Sequence, residues 1–304
     1  MYTTNGLIDK LNSIDITCQF DDTYLILKEL ISSGVSIKEI DEKCHKLTAY
    51  KIIDKLLIGD ENNIDNINAI KDYYYSLQIN QNKCLVISDN HLGRLSSGEN
   101  INSAEIYKNE KGLYTAYNYA ITHGITDIIH LGDIIEGQCD PNANRLPLFY
   151  QMVYLENVYP CPSSVKTYLL YGNHEYNSIL HDKLDSKFYR YCRNMELIGL
   201  SKSYIYFCGY PIRLTHYAQS AVDMKNIDID CNFELSGHSH SYNLYEDRRI
   251  LKVPSLSSAT QCLDDIGFIE LKNEENEFVF KYIDQYGNEL GDKEKTLSKK
   301  ILNK

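Results

Sequence analysis

Over the first eighty residues apolar side chains recur at helical spacing, and no strand-like alternation appears. Tyr24, Leu25, Leu27, Leu30 and Ile31 mark one amphipathic stretch between Asp22 and Ser32, which Gly34 interrupts. Ser36 followed by Glu39 forms a capping-box pair ahead of a second helix over 37–45. Thr48 stands where a third helix would be capped, with Ile52, Ile53, Leu56 and Leu57 on one face and Gly59 at its end. A further helix is predicted over 64–77.

Beyond residue 80 the rhythm becomes strand, loop, helix. The run 83–88, KCLVIS, is short, apolar and rich in β-formers, as a buried strand should be. Leu113, Ala116, Tyr117 and Ala120 then repeat at helical spacing, Gly124 closes that segment, and 127–131 forms the next strand. This is a βαβ unit, which favours a sheet covered by helices. More strands are predicted at 167–171, 204–208, 212–215, 233–235, 250–253, 266–271 and 277–283, and 137–165 reads as the longest loop.

Composition narrows the setting. No apolar run in the 304 residues approaches the roughly 18 needed to span a bilayer, so no membrane association is expected. The first residues carry no basic-then-apolar leader. Nine cysteines, an odd number without a CxxC pair, suggest reduced thiols and a cytoplasmic protein. The net charge of −11 disfavours a broad nucleic-acid surface. Residues 33–53 resemble a helix-turn-helix, yet residues 1–80 hold eight lysines, no arginine and thirteen acidic residues. Phosphate contacts need positive charge, so a helical cap or protein-docking unit is the favoured use, and homo-oligomerisation is open. The expected division is a helical, helix-turn-helix-like segment 1–80, a catalytic domain 81–286 and a polar tail 287–304.

The chemistry gathers at strand ends. They carry, in order, Asp89-Asn90-His91, Gly132-Asp133, Gly172-Asn173-His174-Glu175, His216 and Gly237-His238-Ser239-His240. In α/β sheets the carboxyl ends of strands line the ligand crevice, so these side chains can converge. The series resembles the calcineurin-like metallophosphoesterase superfamily, over about residues 83–285. That resemblance implies an α/β fold, a β-sandwich flanked by helices, here with a small all-helical N-terminal segment. It also implies Asp89, His91 and His240 as ligands of one metal, Asn173, His216 and His238 as ligands of a second, and Asp133 as the bridge. His174 would be the catalytic general acid or charge stabiliser. Two divalent ions are implied, manganese first, with iron, zinc or nickel as alternatives; a mixed oxygen and nitrogen donor set disfavours calcium.

Other residues read more plainly. Glu175 is expected to cap or orient its turn, Glu136 to start a helix or support the ligands, and His130 to fill a buried strand. Arg94, three residues after His91, is a candidate phosphate ligand. The function implied is hydrolysis of a phosphodiester or phosphomonoester by a metal-bridging hydroxide. Two alternatives stand: a nuclease or nucleic-acid end-processing enzyme positioned by the N-terminal helices, and a non-catalytic binding scaffold. The run DNHLG at 89–93 is similar to that of double-strand-break nucleases. The sequence after His240 reads as strands closing a sandwich rather than as a DNA-reading cap.

Overall fold

The computed structural model describes residues 3–14, 20–95, 103–138, 144–182, 194–200, 202–216, 229–257 and 265–300. The chain divides into two compact units, one built mainly on Met1–Gln78 and the other running from Ile79 onward. No helix among the described residues is long and apolar enough to cross a membrane.

The first unit is helical: α1 (Thr4–Ser13), α2 (Phe20–Ser32), α3 (Ile37–Lys43), α4 (Ala49–Gly59) and α5 (Ile64–Ser76). Its core is formed by Ile26, Leu27, Leu30, Ile37, Ile40, Ile52, Ile53, Leu56 and Ile70, all buried. Leu25, expected on the apolar face of α2, is instead 59% exposed. Gly34, at φ 82°, ends α2 in the left-handed conformation that a side chain would strain. Ser36 caps α3 by accepting from the Glu39 N–H at 3.2 Å, whereas the Thr48 hydroxyl at the start of α4 makes no capping bond.

The second unit begins with β1 (Gln78–Ile79), β2 (Lys83–Ile87), α6 (Ser103–Thr122) and β3 (Asp127–His130). Then follow α7 (Leu148–Val158), β4 (Lys166–Tyr171), α8 (Asn173–Asp182), β5 (Met195–Leu200), β6 (Lys202–Phe207) and β7 (Tyr210–Thr215). β8 (Phe233–Ser236), β9 (Asn243–Tyr245), β10 (Ile250–Lys252), β11 (Gly267–Asn273), β12 (Glu277–Asp284) and β13 (Lys295–Ser298) complete it.

The strands pair in the order β13-β12-β11-β2-β3-β4-β5-β6-β7-β8-β10-β9. A single residue pair, Leu200 with Lys202, joins β5 to β6, so the path folds there into two sheets. Aromatic rings show which faces meet. Phe278 of β12 lies 4.8 Å from Phe233 of β8 and 6.4 Å from Phe207 of β6, centroid to centroid, and Phe280 lies 5.3 Å from Phe233. These rings, nearly or wholly buried, are the core of the expected β-sandwich. On the flank, Tyr117 of α6 is bonded to Thr167 of β4 at 2.6 Å.

Three expectations need correction. Residues 287–300 are no polar tail: β13 pairs antiparallel with β12 and buries Leu297, its exposed Thr296 and Ser298 having hidden a short edge strand among lysines. The segment 137–165 contains α7, missed because the helix is apolar nearly all round rather than periodic. Cys161 is in a disulfide, against the reading of reduced thiols; Cys44, Cys84, Cys208 and Cys231 form no disulfide.

Because Phe278 touches rings from the opposite sheet, Phe278→Ala should destabilise the fold by about 3–5 kcal/mol, and Phe278→Leu by clearly less. Urea unfolding measures both; equal losses would mean the ring contacts are not what joins the sheets.

Candidate metal centre

Strands β2, β3 and β4 run parallel to one another, as do β7 and β8, so their carboxyl ends open on the motif segments. The backbone ladder continues past the strands. The Asp89 N–H donates to Gly132 O at 2.9 Å, His91 N–H to Asp133 O at 2.9 Å and Leu92 N–H to Ile134 O at 2.7 Å. The loops are packed backbone against backbone. A Cβ on Gly132 would stand 2.5 Å from Gly172 N, and one on Gly172 would overlap the Asp133 carboxylate. Glycine precedes the two ligand candidates because nothing larger fits.

The backbone here is strained. Asp89, His91, Asp133, His238 and His240 all have positive φ, between 49° and 66°. For a residue with a Cβ this conformation costs on the order of 1–2 kcal/mol. Five of the seven residues expected to hold metal therefore adopt an unfavourable conformation that aims their side chains inward.

The side chains form two groups. Asp89, His91 and His240 bring ligand atoms within 4.8 Å of one another, and so do Asp133, His216 and His238. The His240 Nε2 is 3.1 Å from Asp89 Oδ1 and 3.3 Å from His91 Nε2. The His216 Nε2 is 3.0 Å from Asp133 Oδ2 and 3.1 Å from Asn173 Oδ1. Asp133 Oδ2 also stands 3.9 Å from His91 Nε2, which places it between the groups. The His174 Nε2 is 3.8 Å from that same oxygen.

Several of these atoms lack a proper partner. Asp89 Oδ1 and Asp133 Oδ2 are buried and receive no well-oriented hydrogen bond, although imidazole nitrogens stand about 3 Å away. Meanwhile His216 donates its Nδ1–H to Leu131 O at 2.6 Å, which leaves the Nε2 lone pair facing the carboxylate. Oxygen and nitrogen lone pairs that converge without hydrogens between them suit divalent cations such as Mn²⁺, Fe²⁺ or Zn²⁺. The residues present therefore fit a metal pair.

Electrostatics agree. Burial alone would raise Asp89, but the close approach of His240, at 3.1 Å, and the charge of His216 hold its carboxyl down to about 2. Asp133 is held far lower by His216 despite the same burial. In turn burial opposes protonation of His216, yet the Asp133 charge lifts it to about 10. The cluster thus calls for positive charge, and a proton on His216 competes with a cation for one lone pair.

A sequence model of the calcineurin-like phosphoesterases matches residues 83–285. The chain belongs to the calcineurin-like phosphoesterase family. No curated protein matches its sequence. Among solved structures it is similar to YfcE, a phosphoesterase from E. coli (14% identity, TM-score 0.43, 72% of this chain and 100% of that one). An archaeal phosphodiesterase (13%, 0.36, 71% and 99%) and a dimetal phosphatase from Danio rerio (11%, 0.39, 72% and 99%) are comparable. Likenesses this distant do not bear on substrate. The family is metal-dependent and acts on phosphate esters, which agrees with the donor groups found here.

Other residues of this phosphoesterase site went unread or half-read in the sequence. Glu136 is buried, its Oε2 3.1 Å from His91 Nδ1, and neither atom makes a well-oriented hydrogen bond. Arg94 Nη1 lies 3.9 Å from the same oxygen. Glu175 accepts from the backbone N–H groups of Asp133, Ile135 and Gly172 at 2.8–2.9 Å. Burial and the Asp133 charge push its carboxyl up to about 7. Asn109 donates to His91 O and Ser255 to Asp89 O. No local spacing could have signalled Asn109 or Ser255.

His130 does more than fill the strand. Its Nδ1 accepts from Gly132 N–H at 3.1 Å, so the proton sits on Nε2 and is donated to Asn90 Oδ1 at 2.6 Å. It ties the first motif loop to the second. Burial lowers its pKa to about 3, from an ordinary 6.5. Between those values the unfolded chain takes up a proton that the folded chain refuses. This contribution to stability is therefore complete above about pH 6.5 and is lost as pH falls toward 3, at up to about 1.4 kcal/mol per unit. His130→Gln, which cannot titrate, should unfold along a visibly flatter curve between pH 7 and 5 when urea midpoints are compared. Parallel curves would show that His130 ionises in the folded protein.

Proposed function

We propose that this chain is a dinuclear metal-dependent hydrolase of phosphodiesters or phosphomonoesters, with manganese as the preferred metal. The observation that carries this reading is the position of Asp133 Oδ2, within 3.0–3.9 Å of His216, His91 and His174 at once. Asp89, His91 and His240 would hold one ion, Asn173, His216 and His238 the other, and Asp133 both. When bound, such a pair supplies Lewis-acid neutralisation of phosphoryl charge and acidifies a water.

The remaining work falls to the chain. His174 donates Nδ1–H to Glu136 O at 2.5 Å, which fixes the ring with Nε2 toward the cluster. Burial opposes its protonation, but the Asp133 charge and the Glu136 carbonyl outweigh burial and raise its pKa. It is therefore suited to carry a proton on Nε2 and deliver it to the departing ester oxygen. Its backbone N–H donates to Asp133 Oδ1 at 3.0 Å, so the acid and the bridging carboxylate keep a fixed separation. The Glu175 bonds hold the Gly132–Asp133 and Gly172–Asn173 turns together, which orients both.

Turnover of bis-p-nitrophenyl phosphate against p-nitrophenyl phosphate, with Mn²⁺ added and metal content measured, tests the class and ranks diester against monoester. Metal-loaded protein inactive on both would overturn it. Asp133→Asn should retain the fold, weaken binding of both ions and lower kcat by several orders of magnitude, because a neutral amide cannot serve two cations equally. Metal content and kcat near wild type in that variant would refute a shared carboxylate.

His174→Ala should keep its metal while kcat drops roughly 10²–10⁴-fold on alkyl esters. On p-nitrophenyl esters, whose leaving group needs little protonation, the drop should be smaller. Equal losses on the two ester types would exclude the acid role.

A further inference from the structure

Asp89 and His91 donate their N–H groups to the second motif loop, yet their buried carbonyls accept none from it. Left-handed φ values of 57° and 49° turn these carbonyls elsewhere. The donors that meet them come from two distant parts of the chain. Ser255 Oγ donates to Asp89 O at 2.9 Å. Asn109 Nδ2, on α6, donates to His91 O at 3.2 Å, beside the turn bond from the Arg94 N–H. Ser257 joins the two: its hydroxyl donates to Asn109 Oδ1 at 3.2 Å and its N–H to Ser255 Oγ at 3.0 Å.

All three side chains are buried. Water therefore cannot take their place, and a buried carbonyl left without a donor is costly. The segment 253–257 that carries the serines runs between the two sheets. At one end the Val253 N–H donates to Ser236 O at 2.8 Å, just before the turn of His238 and His240. At the other the Leu256 N–H donates to Ser88 O at 3.0 Å. Gly112 seats α6 against this segment, since a Cβ there would stand 2.9 Å from Leu256 O. Asp89 and His91 follow a strand of one sheet and His240 a strand of the other, so the brace spans the gap across which that donor group must meet. The other group is held by other means: the Asp133 N–H goes to Glu175 and the His216 Nδ1–H to Leu131 O.

We propose that Asn109, Ser255 and Ser257 are positioning residues for the first metal alone. They hold Asp89 and His91 in the left-handed conformation that turns both side chains toward His240. This rests on the dinuclear reading above. Without these donors the two carbonyls regain partners only by leaving that conformation, and the carboxylate and imidazole lose their register with His240.

Calorimetric titration of the metal-free full chain with Mn²⁺ reads each site. Wild-type protein should bind two ions, and His240→Ala, which strips a ligand from the first only, marks the binding class that belongs to it. In Ser255→Ala and in Asn109→Ala that class should weaken by about ten- to a hundredfold while the other is unchanged. Ser257→Ala, which acts through Asn109, should weaken it less. At Mn²⁺ concentrations that fill both wild-type sites, the spin-coupled signal of a manganese pair should give way in these variants to that of a lone ion. Tyr117→Phe is the control, because it removes another buried hydrogen bond of α6, the one shared with Thr167. It should lower the urea midpoint and move neither affinity. Equal weakening of both classes, no weakening in either single variant, or the same loss in Tyr117→Phe would overturn the assignment alone. Wild-type protein that binds fewer than two ions would overturn the dinuclear reading and this assignment with it.

Discussion

Two carboxylates, those of Asp89 and Asp133, are buried side by side, and the architecture of the second unit answers that fact. A charge removed from water is costly unless it is paired, and two like charges together are worse. The protein sets imidazoles around them and keeps both acids ionised through His240 and His216. Even so, one oxygen of each carboxylate is left facing ring nitrogens without an oriented proton. Such a cluster has the donor set that the metal-dependence of the family calls for.

Such a cluster has to be held, because its members repel or strain one another when free to move. The holding elements are backbone. Parallel strands deliver the motif segments to a common edge, and their ladder continues into the loops. Glu175 gathers three N–H groups from two of these turns, and His130 joins the first motif to the second through both its ring nitrogens. The left-handed conformations at five candidate ligand positions are sustained by this framework. Their cost, several kcal/mol in total at about 1–2 each, is met by the sandwich core and is the condition for donors arranged in advance of the ions.

Around that centre lie the connecting segments. Residues 144–146, which pair with 93–95, and α7 after them belong to the stretch that reads in sequence as a long loop. They carry little core, yet Gln151 ties them to Gly137, next to Glu136. The candidate donor groups thus rest on strand ends, while the segments around them are connections, a division common to proteins built on rigid scaffolds.

The sequence by itself determined the kind of chemistry. Asp, Asn and His after successive strand signals, with glycine opening three of the five motifs, can be read in order because each motif is local: a strand, a tight turn, a donor. The helical character of residues 20–76 and most strands were legible for the same reason, since burial on one face imprints a period. What the sequence left undecided depends on partners far apart along the chain. That His130 bridges two loops, that Glu136 faces His91 and that Arg145 opposes Arg94 are contacts across about 40–50 residues. β13 and α7 escaped because one is masked by lysines and the other lacks a polar face. Local residue choice fixed which donors exist. Only tertiary packing decided which lone pairs meet, because distance and proton placement are properties of the assembled loops rather than of any one of them.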